Sequence, residues 1–274
     1  MTQLNSQSRR SEGGFTLVEL AIVMIIIGLL IGGILKGQEL INNARVSSTA
    51  SQIKAVESGI STFRDKYAGI PGDIASPTTR ISGCTGTLCI LANATTNGDA
   101  RISVAAAGTN TFDPGAAISA TSESAASFAQ MAAAGMIGGV NGGAAALGTT
   151  GANQSNPASS LGGAWVLGTS TGTAGTGLSG PTTTAATVLQ SGIYIALTTI
   201  PGTAVSGTTG LLTPVQASNI DRKIDDGQPN TGIVRATGAG AGTGVGNCAS
   251  AVGVAGGYND ALSSSECGLY AKVQ

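Results

Sequence analysis

The sequence predicts an α+β protein. One long N-terminal helix, apolar in its first half and amphipathic in its second, packs on a loop-rich, mainly antiparallel β head with short helices. Three observations predict this. A 21-residue apolar run occupies Phe15 to Leu35, with no proline before Pro71. Apolar residues then recur at helical spacing as far as Tyr67. Beyond that point, short apolar runs alternate with Gly/Ser/Thr tracts, the pattern of short strands between loops.

The apolar run, FTLVELAIVMIIIGLLIGGIL, is interrupted only by Thr16, Glu19 and glycines. A helix of that length spans ~30 Å, the thickness of a bilayer core. The preceding residues 1–14 are polar and include Arg9 and Arg10. Those arginines stay on the cytoplasmic side while the rest of the chain is exported. A cleaved secretory signal has a shorter apolar core closed by a small-residue site. Here the run continues into Lys36, Gln38 and Glu39 instead. A simple anchor helix leaves Glu19 unexplained, because a carboxylate in a membrane helix costs roughly 2.5–3.5 kcal/mol on insertion scales.

The helix continues past the membrane run. Val46, Ile53, Ile60 and Tyr67 repeat every seven residues, with Val56 and Phe63 interleaved. These form one apolar stripe, and Arg45, Ser48, Gln52 and Glu57 are assigned to the opposite face. The stripe is short for a coiled coil, so packing on a domain of the same chain is expected. The predicted helix runs from Phe15 to about Lys66. Gly28, Gly32, Gly33 and Gly37 supply two GxxxG spacings, which allow close helix approach in membranes.

In the remainder, the cluster around Pro71 and Gly72 ends the helix. Thr121-Ser122-Glu123 opens an alanine-rich helix expected to end near Gly138-Gly139, with Glu123 favourable at its N-terminus. Thr213-Pro214 is an N-cap followed by proline at the first helical position, and that helix ends near Asp226-Gly227. Strands are predicted at Ala164–Leu167, Ile193–Thr198, Gly232–Ala236 and Leu269–Val273, with Gly168–Thr184 as a loop.

Composition narrows the function. There is no histidine, so Ser-His and Cys-His nucleophile systems are excluded. The net charge is -1, and no Lys/Arg cluster suits phosphate, so no nucleic acid partner is expected. Charged residues are 10% of the chain, and none occurs from Ser124 to Ile220. That suits an extracytoplasmic protein better than a cytosolic one. Disorder is the rival reading of this stretch, but it usually needs high net charge and low hydrophobicity. No cofactor or catalytic residue is expected. Asp73, Asp99 and Glu123 are too scattered in sequence to call a catalytic carboxylate pair. Two acidic clusters remain: Asn97-Gly98-Asp99, a turn signal and a fragment of a calcium-loop pattern, and Asp221, Asp225 and Asp226, on or just after a helix. Calcium needs six to eight oxygens, so turn and cap roles are favoured for both groups and no metal is expected.

Four cysteines allow three disulfide pairings. Proximity favours Cys84 with Cys89 and Cys248 with Cys267. Four converging thiolates on a metal are the rival, without a C-x-x-C pair or a histidine to support it.

The segment Gly13-Gly14-Phe15-Thr16-Leu17-Val18-Glu19-Leu20 resembles the prepilin cleavage and methylation motif of type IV pilins and type II secretion pseudopilins. The resemblance implies a pilin-like fold. It implies a leader peptide (1–14), a transmembrane and assembly helix (15–67) and an extracytoplasmic head (68–274). It further implies that a prepilin peptidase cuts between Gly14 and Phe15 and methylates the new amino terminus on Phe15. Glu19 then pairs with the N-terminus of a neighbouring subunit, which compensates a buried charge. The partners implied are the peptidase, other pilin subunits, an inner-membrane assembly platform, and the membrane itself before assembly. The chain would lie in the inner membrane first, and in a pilus or periplasmic pseudopilus afterwards. KGQELINNARV, the Pro71-Gly72-Asp73 turn and IDRKIDDGQPNTG (Ile220–Gly232) resemble a group of larger bacterial prepilin-type proteins. The C-terminal cysteine pair resembles the disulfide-bounded loop of many pilins. Many family members have a proline where this chain has Lys36, so local unwinding of the helix would rest on Gly32-Gly33 instead. The function implied is a structural filament subunit. The alternative is a minor pilin or pseudopilin whose head binds a surface or a secreted substrate.

Overall fold

The computed structural model describes residues 14–90, 98–103, 122–144, 155–170, 189–199, 211–238, 248, 257–263, 265 and 267–273. Residues 1–13, Asn97, Thr121, and 171–184 of the expected loop lie outside the described residues. The chain divides into two units, Met1–Ala44 and Arg45–Gln274.

Helix α1 runs unbroken over Leu17–Tyr67, 51 residues. In the first unit its large apolar side chains are exposed all round, Leu17 at 87% and Leu29 at 74%. The glycines from Gly28 to Gly37 contact nothing beyond their own helix. Lys36 pairs with Glu39 at 2.6 Å along the exposed helix surface.

In the second unit, α1 buries Val46, Thr49, Ile53, Val56, Gly59, Ile60 and Phe63. The heptad stripe is therefore the packed face. Ser48 and Gln52 were assigned to the opposite face, and the structure corrects that. Ser48 bonds Ser160 through the two hydroxyls at 2.7 Å. The Gln52 amide donates to the Ala158 carbonyl at 3.1 Å and accepts from the Trp165 indole N–H at 3.1 Å. Both residues flank the stripe one turn apart, so they reach the rim of the contact as polar anchors. Phe63 and Tyr67 stack at a tilt, with ring centroids 4.8 Å apart.

The head is an antiparallel four-stranded sheet in the order β1-β2-β4-β3. The strands are β1 (Ala164–Ser170), β2 (Gly192–Thr198), β3 (Val234–Gly238) and β4 (Cys267–Lys272). β1 continues three residues beyond the expected Leu167, into the stretch assigned to a loop. Pairing with β2 explains this: Gly168 faces Tyr194 and Ser170 faces Gly192, so the ladder holds residues of low strand propensity. One sheet face contributes Trp165, Leu167, Ile193, Ile195, Leu197, Leu269 and Ala271 to the core. The alternate residues Val166, Tyr194, Ala196 and Tyr270 are buried as well. An edge strand usually exposes one ladder of amides. Here the β1 edge is covered: Trp165 N–H donates to Pro157 O, and Thr169 N–H donates to Ile102 O, both at 3.0 Å.

The shorter helices are α2 (Pro77–Arg80), α3 (Thr87–Ile90), α4 (Glu123–Ala133) and α5 (Pro214–Ile224). α4 packs on β1, and α5 packs on β3 and β4. Ser122 caps α4 by accepting from Ala125 N–H. α4 ends five residues before the expected Gly138-Gly139. Gly135 adopts φ +75°, Gly135 N–H donates to Ala132 O, and Met136 N–H donates to Met131 O. That pair of bonds is a Schellman closure, and glycine at its left-handed position stops the helix. Thr213 and Gln216 close a reciprocal capping box at the start of α5, with Pro214 in the first turn. The four-residue helices α2 and α3 are too short to show a helical period in the sequence. Pro77 at the first position of α2 was the available signal for that helix.

The loop from residue 68 to 90 lies against α4. Gly72 sits at φ +96°, where a Cβ would strike the Glu123 carbonyl, and its N–H donates to the Gln130 side chain at 2.6 Å. Only glycine meets both demands there. Cys84 is bonded to Cys89, and Cys248 to Cys267. The second bridge fastens the segment preceding β4, where Leu212 and Cys267 exchange backbone hydrogen bonds. The result is an α+β, pilin-like layout: a long N-terminal helix with a small antiparallel sheet and short helices.

Candidate functional site

The strongest sequence signal lies at the start of α1. Residues 14–16 are not helical, and the helix begins at Leu17. Thr16 and Glu19 account for that boundary. Glu19 N–H donates to Thr16 Oγ1 at 3.3 Å, and Thr16 N–H donates to Glu19 Oε2 at 2.9 Å. The Thr16 hydroxyl also donates to Glu19 Oε2 at 2.8 Å. This is a capping box, T-x-x-E, in which each residue satisfies an orphan backbone amide of the other. The T-x-x-E spacing of the box is itself visible in the sequence, and it gives Glu19 a local role beside the intersubunit pairing expected of it. A carboxylate at a helix N-terminus is also favourable to the helix dipole. Phe15 stands just outside, 85% exposed. The helix behind it is long and apolar enough to cross a membrane.

Residues 9–35 match the family model of the prokaryotic N-terminal methylation motif. That motif is the prepilin signature of type IV pilins and pseudopilins, and it supports a protein of that kind, structural rather than enzymatic. Neither the curated proteins nor the solved structures compared with this chain gave a match. The motif and the apolar helix together fit a membrane-anchored precursor that is processed by a prepilin peptidase and assembles with other pilins.

The two acidic groups are in the head. Asp73, Asp99 and Glu123, scattered in sequence, are brought together, as are Asp221, Asp225 and Asp226. In each group the carboxylate oxygens converge within 4.8 Å. Their hydrogen bonds show what most of these oxygens do. Asp73 accepts from the amides of Gly98, Asp99 (3.2 Å) and Ala100 (2.7 Å). Glu123 accepts from Ser103 N–H at 2.8 Å. Burial pushes the Asp73 carboxyl up and the Asp99 charge adds to that, while the amides it receives oppose the shift. These carboxylates fasten the turn at residues 98–103 to the start of α4 and to the loop after α1.

The second group works alike. Asp225 accepts from the amides of Ile233 and Val234, and Asp226 from Gln228 N–H and the Thr231 hydroxyl. Asp221 is fully buried and accepts from the Tyr258 hydroxyl at 2.9 Å. Burial pushes Asp221 up to about 7, and Asp226 and Asp225 add to the shift. Tyr258 is pushed up too, by burial and then by the Asp221 charge. Sequence spacing could not reveal most of these roles, because Asp73, Glu123 and Asp225 grip backbone, and Asp221 a hydroxyl, well away from themselves in the chain.

Proposed function

We propose that this chain is a structural subunit of a type IV pilus or related filament. Residues 1–14 act as a leader, residues 15–67 as the membrane and assembly helix, and residues 68–274 as a head outside the cytoplasm. A prepilin peptidase cuts between Gly14 and Phe15 and methylates the Phe15 amine. The subunit waits in the inner membrane, C-terminus outward, until an assembly platform moves it into the filament. The observation that supports this best is the prepilin motif at the head of a 51-residue helix whose apolar half leaves its large side chains exposed among the described residues.

Glu19 has two states in this reading. In the unassembled subunit its Oε2 is held by Thr16. In the filament the amine of a neighbouring Phe15 meets the same carboxylate, and a charge costly alone becomes tolerable when paired. The test is Glu19→Ala with two readouts. Membrane insertion should be unchanged, and sheared surface fibres should fall at least about tenfold, the loss expected when one charge pair of roughly 1.4 kcal/mol is removed. Normal fibre yield would overturn the mechanism.

A second reading is a minor pilin or type II secretion pseudopilin whose head binds a surface or secreted substrate. The size of the head, residues 68–274, favours it. Abundance separates the two: a major subunit dominates sheared fibres, and a minor one is scarce in them.

A further inference from the structure

We propose that the head binds a carboxylate-bearing oligosaccharide in a groove at the C-terminal end of α1. A cavity of about 650 Å³ opens there, lined by Ser61, Arg64 and Asp65 of α1, Asp73, and Arg80 of α2. That volume lies in the ~300–1,000 Å³ range of ligand pockets. A second cavity of about 330 Å³ adjoins it, sharing Arg64 and Ala100 and continuing past Arg101, Thr169 and Ser191. Arg80 thus borders the first cavity and Arg101 the second, with Arg64 common to both.

Two of these arginines, Arg80 and Arg101, supply the donors on which the proposal stands. Arg80 gives one Nη2 hydrogen bond to the Tyr67 carbonyl, which ties it to the last turn of α1. The guanidinium has five N–H donors in a planar fork that suits a carboxylate, and the rest have no protein partner among the described residues. The Arg101 guanidinium likewise meets no protein group among the described residues, since only its backbone N–H is engaged, by Asp99.

The acceptors select the class of anion. Asp73 lines the cavity, but both its oxygens are occupied by amides. Asp65 also lines it, and its exposed carboxylate has no protein partner among the described residues. Arg80 and Arg101 beside the free Asp65 carboxylate suit a ligand that bears both carboxylates and hydroxyls: the first meet the arginines, and the second donate to Asp65. A polyphosphate packs more negative charge into the same length and has no hydroxyl to donate, so Asp65 repels it more strongly than a uronate. Neither cavity has an aromatic ring among its lining residues, so nucleobases find no stacking surface. The two adjoining cavities call for more than one sugar unit.

The test is calorimetric titration of the full chain in detergent with oligogalacturonate, a neutral malto-oligosaccharide of equal length, and polyphosphate. Saturable binding of the uronate alone is expected. Arg101→Gln, which removes no internal contact, should weaken it at least about tenfold, the loss of one charge-assisted hydrogen bond. Arg80→Gln should do the same, checked by an unchanged melting curve. Asp65→Asn should weaken uronate binding while improving polyphosphate binding. Absence of saturable uronate binding, equal binding of polyphosphate, or full affinity in Arg101→Gln would each overturn the proposal. Binding is read on the unassembled chain, so its failure leaves the filament reading untouched.

Discussion

The two halves of α1 share a helix and differ in almost everything else. From Leu17 to Ala44 the helix leaves its large apolar side chains exposed among the described residues. From Arg45 to Tyr67 it buries a stripe from Val46 to Phe63 and is anchored by Ser48 and Gln52. The first half depends on its surroundings for a partner, and the second has found one in its own chain. The contrast shows why a short motif can announce a class of protein while the head needs tertiary detail to be read.

The sharpest way to break the comparison is one truncation in each half. Phe63→Ala removes a fully buried ring and should cost about 3–5 kcal/mol. Leu29→Ala, on a side chain 74% exposed, should change head stability by less than about 0.5 kcal/mol. Thermal melting in detergent reads both, and equal effects would mean that the halves are not energetically distinct. Next in size is the bridge before β4. Replacing Cys248 and Cys267 together by serine opens a loop with a sequence separation of 19 and should cost about 3 kcal/mol on the chain-entropy model. The apolar half of α1 should retain its helicity in that variant.

The head should also respond to pH in a way the apolar half cannot. Asp221 titrates near 7 in the folded head, against 3.8 ordinarily. The folded state therefore keeps a proton that the unfolded chain has lost. That stabilisation is fully present below about pH 3.8 and is lost as pH rises through 7. Between pH 5 and 8 the head should weaken by on the order of 1–2 kcal/mol, and Asp221→Asn should flatten the profile. Asp73, also raised by burial, acts in the same direction. A melting temperature that climbs with pH over this window would contradict the assignment. Within the head a smaller loss is expected for Gln52→Ala, which forfeits bonds to Trp165 and Ala158 and should cost about 1 kcal/mol in the same melts.

Much of the fold was legible because its signals are local. The heptad from Val46 to Tyr67 marked the packed face of α1, and Thr213-Pro214 marked the start of α5. Short β-branched and aromatic runs located all four described strands. What stayed hidden is tertiary. Gln52 is polar and read as solvent-facing, yet it reaches over the rim to Trp165. Asp73 grips amides 25 to 27 residues away, which no spacing rule anticipates. Gly135 ends α4 before Gly138-Gly139, and sequence gave equal reason to choose either. At the candidate site the reverse holds. Gly14, Phe15 and Glu19 stand out within six residues, and even the missed partner, Thr16, lies among them.

The capping box has one further consequence, concerning proteolysis. Thr16 and Glu19 both lie on the C-terminal side of the Gly14–Phe15 bond, so the box draws both its partners from one side of that bond. Residues 14–16 stay outside the helix. If that bond is the one cut, as proposed, the box acts as a ruler. It holds the scissile peptide at a fixed reach from the first helical turn, and it survives the cut intact.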